Sequence, residues 1–250
     1  MRAAGIDIGS RFIKLVVVND GCIESSSTAE TGHRPLEACR SMLADASPDR
    51  FVATGYGRYL MEVFGDVPTI TEIKAVALGA RTAHPGCRTV IDIGGQDTKV
   101  ISLDDSGRVV DFEMNDRCAA GTGRFLEIMA KTLGYPLDEF GRQVPDPVGD
   151  ISINSMCTVF AESEVVSLIA KGLPRDRIAS AVHVSGANRV AALAKRHVVR
   201  TDVVFAGGCA RNSCLRDMLT ERIGRPMVMH HAPEILAAYG AALHALQLGE

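Results

Sequence analysis

The chain has 250 residues, of which 46% are hydrophobic and 23% charged, a balance that excludes a disordered chain and predicts a packed core. A formal net charge of −3 argues against a nucleic-acid binder, which needs a basic surface. The seven cysteines are too few, and odd in number, for a disulfide scaffold, so we expect a reducing, cytoplasmic setting. The longest apolar run, 235–243, falls short of the roughly 20 residues that a membrane span requires, so no membrane partner is expected.

The N-terminal residues predict a small antiparallel sheet. Strands are expected at 3–8 and 12–18, joined by a turn at Gly9–Arg11 that we call the first turn. Asn19-Asp20-Gly21 is a strong hairpin signal and leads into a third strand. Further along the chain, the sequence predicts a helix at 35–46, a strand at 51–54 and a helix at 72–83.

The opening pattern then returns, with Asp92 lying 85 residues after Asp7. A strand at 89–93 runs into the second turn, Gly94–Asp97, and a further strand follows at 98–103. In this register Asp, Ile, Gly and Lys of the first copy match the same residue types in the second. An internal repeat of this size predicts two similar lobes, although two strand–turn–strand units also resemble each other by chance.

The remainder of the sequence is mainly helical. Helices are expected at 120–133, 160–170, 175–196, 212–223 and 233–248, and short strands at 203–206 and 227–229. We therefore predict a two-lobed α/β fold. Lobe I comprises 1–85 and is completed by the C-terminal helix at 233–250, and lobe II comprises 86–232.

Both Asp-Ile-Gly turns suit phosphate binding, because glycine allows close backbone approach and successive turn amides form an anion-binding concavity. Asp7 and Asp92 end the preceding strands and are candidates to hold Mg²⁺ through water. Asp92 and Gln96 are the candidate catalytic residues, with Gln96 orienting water towards the terminal phosphate. The alternative is that Gln96 is a solvated turn residue. The residues expected around the phosphates are Gly9, Ser10, Lys14, Gly94, Gly95 and Lys99.

A third glycine-containing loop is predicted to bind adenosine. An apolar strand leads into Gly207 and Gly208, and a helix begins just after them. Because neither glycine has a side chain, a flat adenine ring could lie against the backbone. The chain contains neither a Gly-x-x-x-x-Gly-Lys-Ser/Thr loop nor a Rossmann fingerprint after its first strand, so an ATP site here must be of another type.

Together these motifs resemble the acetate kinase, sugar kinase, heat-shock chaperone and actin superfamily. The first and second turns resemble its two phosphate motifs, Gly207-Gly208 its adenosine motif, and the helices after Glu72 and Glu234 its two connecting helices. The resemblance covers almost the whole chain. It implies a two-lobed, actin-like ATPase fold with duplicated ribonuclease H-like lobes.

Two cysteines stand just before predicted helices, Cys118 within 115–127 and Cys157 within 154–164. A helix N-terminus lowers the pKa of a thiol and favours a thiolate. A four-iron cluster needs four thiolates, so two per chain would require a twofold dimer. The alternative is that both are small buried hydrophobic residues.

These two segments, together with Asp92–Lys99, resemble the ATP-dependent activators of 2-hydroxyacyl-CoA dehydratases and the ATPase subunits of benzoyl-CoA reductase. The resemblance implies a homodimer that shares a 4Fe-4S cluster, with Cys118 and Cys157 as ligands. It implies ATP-driven transfer of single electrons to an iron–sulfur acceptor, which is a dehydratase or reductase component. Reduced ferredoxin or flavodoxin would be the electron donor.

The sequence departs from this family in one place and leaves other functions open. A histidine is expected shortly after Glu72-Ile73, and Val76 stands there instead, which leaves the branch of the family undecided. One alternative is a small-molecule kinase of the same superfamily, in which the cysteines would have no role. Another is a nucleotide-binding scaffold of the actin or chaperone kind, for which the chain has little room for insertions.

Overall fold

The computed structural model describes residues 1–116, 121–142, 151–154, 157–197 and 199–248. Their strands form two sheets, one from each half of the repeat. The first has the order β3-β2-β1-β4 and is built from β1 (Arg2–Ile8), β2 (Phe12–Asn19), β3 (Cys22–Glu30) and β4 (Arg50–Thr54). The second has the order β7-β6-β5-β8-β9 and is built from β5 (Thr89–Ile93), β6 (Thr98–Leu103), β7 (Val109–Asn115), β8 (Val203–Ala206) and β9 (Met227–Val228).

The helices are close to those predicted. They are α1 (Pro35–Ala46), α2 (Glu72–Ala83), α3 (Gly123–Thr132), α4 (Thr158–Ala170), α5 (Arg175–Ala194), α6 (Ser213–Ile223) and α7 (Leu236–Gln247). The C-terminal helix starts later than predicted, because Pro233–Ile235 form a 3₁₀ turn first. Two other 3₁₀ segments, Arg58–Phe64 and Gly208–Arg211, were not predicted. Across the described ranges, no helix combines the length and apolar character that crossing a bilayer demands.

Strand pairing confirms the internal repeat. In each lobe two antiparallel strands place an Asp directly opposite a Lys, Asp7 opposite Lys14 and Asp92 opposite Lys99. In each lobe the same first strand also pairs in parallel with a later strand, β1 with β4 and β5 with β8. The Asp-Ile-Gly pattern therefore occupies equivalent positions at the carboxyl end of β1 and of β5.

A glycine follows the parallel strand in both lobes, and the geometry explains why. Gly55 follows β4 with φ +86°, and Gly207 follows β8 with φ +81°, a backbone region that favours glycine. A Cβ at Gly55 would collide with Asp7 Oδ1, and one at Gly207 would collide with Asp92 Oδ1. Each glycine thus allows the backbone to pass beside the buried Asp, and Gly55 is the lobe I counterpart of Gly207.

Two crossing helices join the lobes. The α7 helix packs against β1, β2 and β4, while α2 packs against β5, β6 and β8. They cross at Gly79 and Gly240, where a Cβ on Gly240 would collide with the carbonyl oxygen of Ala75. The two backbones are therefore in direct contact at the crossing.

We predict that Gly240→Ala destabilises the protein by at least about 2 kcal/mol, because the added methyl group forces two helix backbones apart. Gly186→Ala is the matched control within a helix, since among the described residues its new Cβ would meet only the Phe125 ring, at 3.9 Å. There, replacing glycine by a better helix former should be neutral or stabilising by up to about 1 kcal/mol. Denaturant unfolding of both variants tests this, and equal losses of stability would contradict the tight crossing.

Candidate active site

A cleft of about 870 Å³ lies between the lobes, where the first and second turns face each other. The predicted residues that line it are Asp7, Gly9, Ser10, Lys14, Asp92, Gly94, Gly95, Gln96, Gly207 and Gly208. Gln96 is exposed within it. Val76 is buried at its wall, so the departure from the family pattern falls inside the site.

The two turns have the same internal bond and contact each other. The Gly9 amide donates to the Phe12 carbonyl oxygen at 3.1 Å, and the Gly94 amide donates to the Asp97 carbonyl oxygen at 2.9 Å. A Cβ on Gly95 would lie 3.1 Å from Arg11 Cγ and 3.3 Å from Ser10 Oγ. The glycine therefore leaves room for the first turn to approach the second.

Lys14 faces the cleft from lobe I. Its Nζ lies 3.0 Å from Asp7 Oδ2 and would be 3.2 Å from a Cβ on Gly9, which places the ammonium beside the first turn. Burial lowers the pKa of Lys14, but the charge of Asp7 and its hydrogen bond, with Glu72 and Asp92 adding to them, outweigh burial and leave the pKa raised. The lysine is therefore a charged group available to a phosphate.

Lys99 behaves differently from its lobe I counterpart. Its side chain is 2% exposed, and Nζ lies 2.8 Å from Asp97 Oδ2, 3.0 Å from Glu72 Oε1 and 3.6 Å from Asp92 Oδ2. These contacts hold the ammonium behind the cleft wall. The sequence analysis predicted instead that Lys99 would be one of the residues around the phosphates. In the structure Lys99 holds three carboxylates together, and these carboxylates keep its pKa raised despite its burial.

Glu72 completes this carboxylate cluster. Burial raises its pKa to about 7 against the opposing charge of Lys99, and the neighbouring Asp7, Asp92 and Asp97 add to the rise. Burial likewise raises the pKa of Asp92. The sequence analysis treated Glu72 only as the start of a helix, because an acidic first turn is common there and gives no sign of a distant partner.

The carboxylates suit a water-mediated cation better than a direct protein cage. In the described part of the chain, no three His, Cys, Asp or Glu residues are arranged to hold a metal ion. Asp7 Oδ1, however, is buried without a hydrogen-bond partner, which calls for a water molecule or an ion. Mg²⁺ keeps several waters and uses one or two carboxylates plus substrate phosphates, so Asp7 and Asp92 fit that binding mode.

Part of the cleft wall is a loop that the sequence analysis did not identify as part of the site. Its residues 137, 138 and 140–142 line the same cleft as Gly207 and Gly208. The Asn212 amide donates to the Phe140 carbonyl oxygen at 3.2 Å and lies 2.9 Å from Nε2 of the buried His183. These bonds fix the loop against the predicted adenosine motif, and no local sequence pattern connects the two.

The second turn is bonded directly to α3. The amides of Gly123 and Arg124 donate to the carbonyl oxygens of Gly94 and Gly95, each at 2.9 Å. The Thr98 hydroxyl donates to the Gly121 carbonyl oxygen at 2.9 Å. The start of α3 is therefore anchored to the second turn through backbone atoms.

The two predicted cluster ligands differ in what the structure describes. Cys118 lies outside the described residues. Cys157 is free and exposed immediately before α4, and its carbonyl oxygen accepts a hydrogen bond from the Ala161 amide at 2.9 Å. In contrast, burial and the nearby Asp92 raise the pKa of Cys209 to about 12, so this thiol remains protonated.

Comparisons with known proteins agree with this geometry. A family model described as the BadF/BadG/BcrA/BcrD ATPase family matches residues 4–245. The chain is 41% identical to a 2-hydroxyisocaproyl-CoA dehydratase activator of Clostridioides difficile, over 98% of this chain and 95% of that protein. It is 38% identical to the (R)-2-hydroxyglutaryl-CoA dehydratase activating ATPase of Acidaminococcus fermentans, over 96% of this chain and 95% of that protein. It is also 31% identical to one of the subunits of the benzoyl-CoA reductase from Thauera aromatica, over 96% of this chain and 91% of that protein.

Solved structures confirm the actin-like ATPase fold. The activator of the 2-hydroxyisocaproyl-CoA dehydratase from Clostridium difficile, with bound ADPNP, superposes with a TM-score of 0.90 and 38% identity, covering 99% of this chain and 95% of that one. A ROK family glucokinase from Streptomyces griseus has a TM-score of 0.63 at 16% identity, covering 99% of this chain and 100% of that one. At that identity it shares the fold alone.

The raised pKa of Glu72 predicts a pH-dependent stability. Its proton stabilises the folded state fully below about pH 4.5, and this contribution is lost as the pH rises through about 7. In Glu72→Gln the side chain stays neutral, so the unfolding free energy of the variant minus that of the wild type should rise between pH 5 and pH 8, by at most about 3 kcal/mol. Denaturant titrations at both pH values measure the difference, and a constant or falling value would contradict the assignment.

Proposed function

The chain belongs to the BadF/BadG/BcrA/BcrD ATPase family, and we propose that it couples ATP hydrolysis to single-electron transfer from a 4Fe-4S cluster to an iron–sulfur acceptor protein. That it is an ATPase follows from its family. Relatives named as dehydratase activators and as part of a benzoyl-CoA reductase support an acceptor that is a dehydratase or reductase component. Reduced ferredoxin or flavodoxin is the proposed electron donor.

One observation carries the proposal: the second turn is hydrogen-bonded to the start of α3, directly after the segment that contains Cys118. A nucleotide held by that turn therefore has a short covalent and hydrogen-bonded path to a proposed cluster ligand. The path extends to the helix that follows Cys157, because the Thr132 hydroxyl near the end of α3 donates to Glu162 of α4 at 3.1 Å.

A cluster shared by two copies fits the cysteines. Two thiolates per chain are half of the four that a 4Fe-4S cluster needs, and a twofold dimer would supply the rest. The exposure of Cys157 leaves its sulfur accessible to a shared group, and the start of α4 favours negative charge there. When bound, the cluster would supply the single electron that the acceptor receives.

The proposed ATP chemistry uses the residues of the cleft. Asp7 and Asp92 would hold Mg²⁺ through water, and Mg²⁺ would neutralise charge on the phosphates. Gln96 would orient the water that attacks the terminal phosphate, giving ADP and inorganic phosphate. The residues proposed to contact ATP are Gly9, Ser10, Lys14, Gly94, Gly95, Gly207 and Gly208. Raising an electron by ~300 mV requires roughly 7 kcal/mol, which explains why an energy source is needed.

The proposed lobe boundaries remain those of the sequence analysis. Lobe I comprises 1–85 with the C-terminal helix at 233–250, and lobe II comprises 86–232. The packing of α7 against β1, β2 and β4 supports the assignment of that helix to lobe I, whereas α2, which the boundary also places in lobe I, packs against β5, β6 and β8 of lobe II. A cytoplasmic location is proposed because the exposed thiols and the cluster require a reducing compartment.

We predict that Gln96→Ala lowers kcat for ATP hydrolysis about a hundredfold and leaves ATP affinity nearly unchanged, because water would lose its positioning group while the turn amides remain. Steady-state phosphate release and nucleotide titration separate the two effects. Gln247→Ala, at the exposed end of α7, is the control. An unchanged kcat for Gln96→Ala would show that Gln96 does not position the attacking water.

The central test is iron binding after anaerobic purification. We expect about four irons and four sulfides per dimer, with a brown absorption band that dithionite bleaches. Cys118→Ala and Cys157→Ala should each abolish the band while ATP binding persists. Cys22→Ala is the matched control, because Cys22 is also exposed but stands on the edge strand β3.

Two outcomes would contradict the proposal. A protein that stays colourless and iron-free after anaerobic reconstitution would exclude electron transfer, and ATP consumption dependent on an added sugar would then favour the small-molecule kinase. If the band survives in Cys118→Ala or in Cys157→Ala, the ligand assignment is wrong.

A further inference from the structure

An ion pair crosses the cleft between the first turn and α3. Arg11 Nη2 lies 2.6 Å from Glu127 Oε1, and both side chains line the cleft. Arg11 belongs to lobe I, whereas Glu127 stands on the helix whose first amides bond to the second turn. The pair therefore ties the first turn to the helix that follows the segment containing Cys118.

Arg11 occupies a position suited to a phosphate ligand. Its Cβ and Cγ would lie 3.6 and 3.1 Å from a Cβ on Gly95, so the stem of the side chain runs between the two phosphate turns. Its guanidinium group therefore lies in the cleft beyond the two turns, where it reaches Glu127. A guanidinium offers a planar fork of donors that matches phosphate oxygens in bidentate geometry.

The Arg11–Glu127 ion pair can be broken with little loss of stability. The side chains of Arg11 and Glu127 are 44% and 28% exposed, and partly exposed ion pairs contribute little to stability. Glu127 also accepts a hydrogen bond from Arg124 Nη1 at 3.0 Å within the same helix. It therefore keeps one cationic partner when Arg11 leaves.

We propose that Arg11 senses the terminal phosphate of ATP by exchanging Glu127 for it. ADP lacks that phosphate and leaves the Arg11–Glu127 pair intact, whereas ATP breaks the pair and releases α3 from the first turn. The proposal deepens the proposed function by naming the contact that distinguishes the two nucleotides. It rests on the ATP site alone, and the cluster has no part in it.

Nucleotide titrations test the exchange, using ADP and a non-hydrolysable imido analogue of ATP on anaerobically purified full-length protein. In Arg11→Gln the affinity for the ATP analogue should fall about tenfold while the affinity for ADP stays nearly unchanged. In Glu127→Gln the affinity for the ATP analogue should rise about threefold, because no carboxylate competes for Arg11. The double variant should behave like Arg11→Gln, because Glu127 acts only through Arg11.

Opposite effects of the two single variants separate a sensor from a purely structural pair. If Arg11 and Glu127 only held the lobes together, both variants would shift ATP and ADP affinities in the same direction and to the same extent, and this would overturn the proposal. Glu24→Gln is the matched control, since Glu24 pairs with Arg2 at 2.7 Å with similar exposure but lies outside the cleft.

Iron content, measured on each sample, keeps this proposal distinct from the proposed function. Nucleotide discrimination lost with Arg11→Gln in an iron-free protein would support the sensor and contradict the electron-transfer function. If iron is bound normally but Arg11→Gln still discriminates between the nucleotides as the wild type does, the result would support the electron-transfer function and contradict the sensor.

Discussion

The site depends on the ion pairs that the buried ammonium of Lys99 makes with three carboxylates. A buried charge is tolerated only when it is paired, and Lys99 is paired with carboxylates from three places: β5, the second turn and the start of α2. Removing the lysine would leave Glu72, Asp92 and Asp97 close together without compensation. The interaction therefore fixes the second turn relative to α2, one of the two helices that cross between the lobes.

The same Asp–Lys pair serves different purposes in the two lobes. Among the residues that the structure describes, Lys14 has one close carboxylate and lines the cleft, while Lys99 has three and lies behind the cleft wall. The difference comes from α2, which contributes Glu72 to lobe II, and from Asp97 in the second turn. The repeat thus has the same strand geometry in both lobes, while the neighbouring elements leave Lys14 lining the cleft and hold Lys99 among carboxylates.

Short sequence patterns predicted the features that depend on the conformation of neighbouring residues. The Asp-Ile-Gly turns, the two lobes and most helices followed from strand alternation, glycine positions and spacing along the chain. Contacts between distant elements were not predictable in this way. Glu72 looked like a helix start, Gly55 was not connected to Gly207, and the loop at 137–142 carried no motif, because each acquires its role only when residues far apart in sequence meet.

The links between the cleft and α3 are of two physical kinds. The hydrogen bonds of Gly123 and Arg124 to the second turn use backbone atoms. The start of α3 must therefore follow any shift of that turn. The contact of α3 with the first turn uses an exposed pair of side chains that a phosphate can outcompete. In the proposed exchange, the rigid link to one turn and the exchangeable link to the other would give α3 two positions relative to the lobes. Coupling nucleotide state to the proposed cluster ligands needs this combination. Two rigid links would hold the helix still, and two weak ones would let it move independently of the nucleotide.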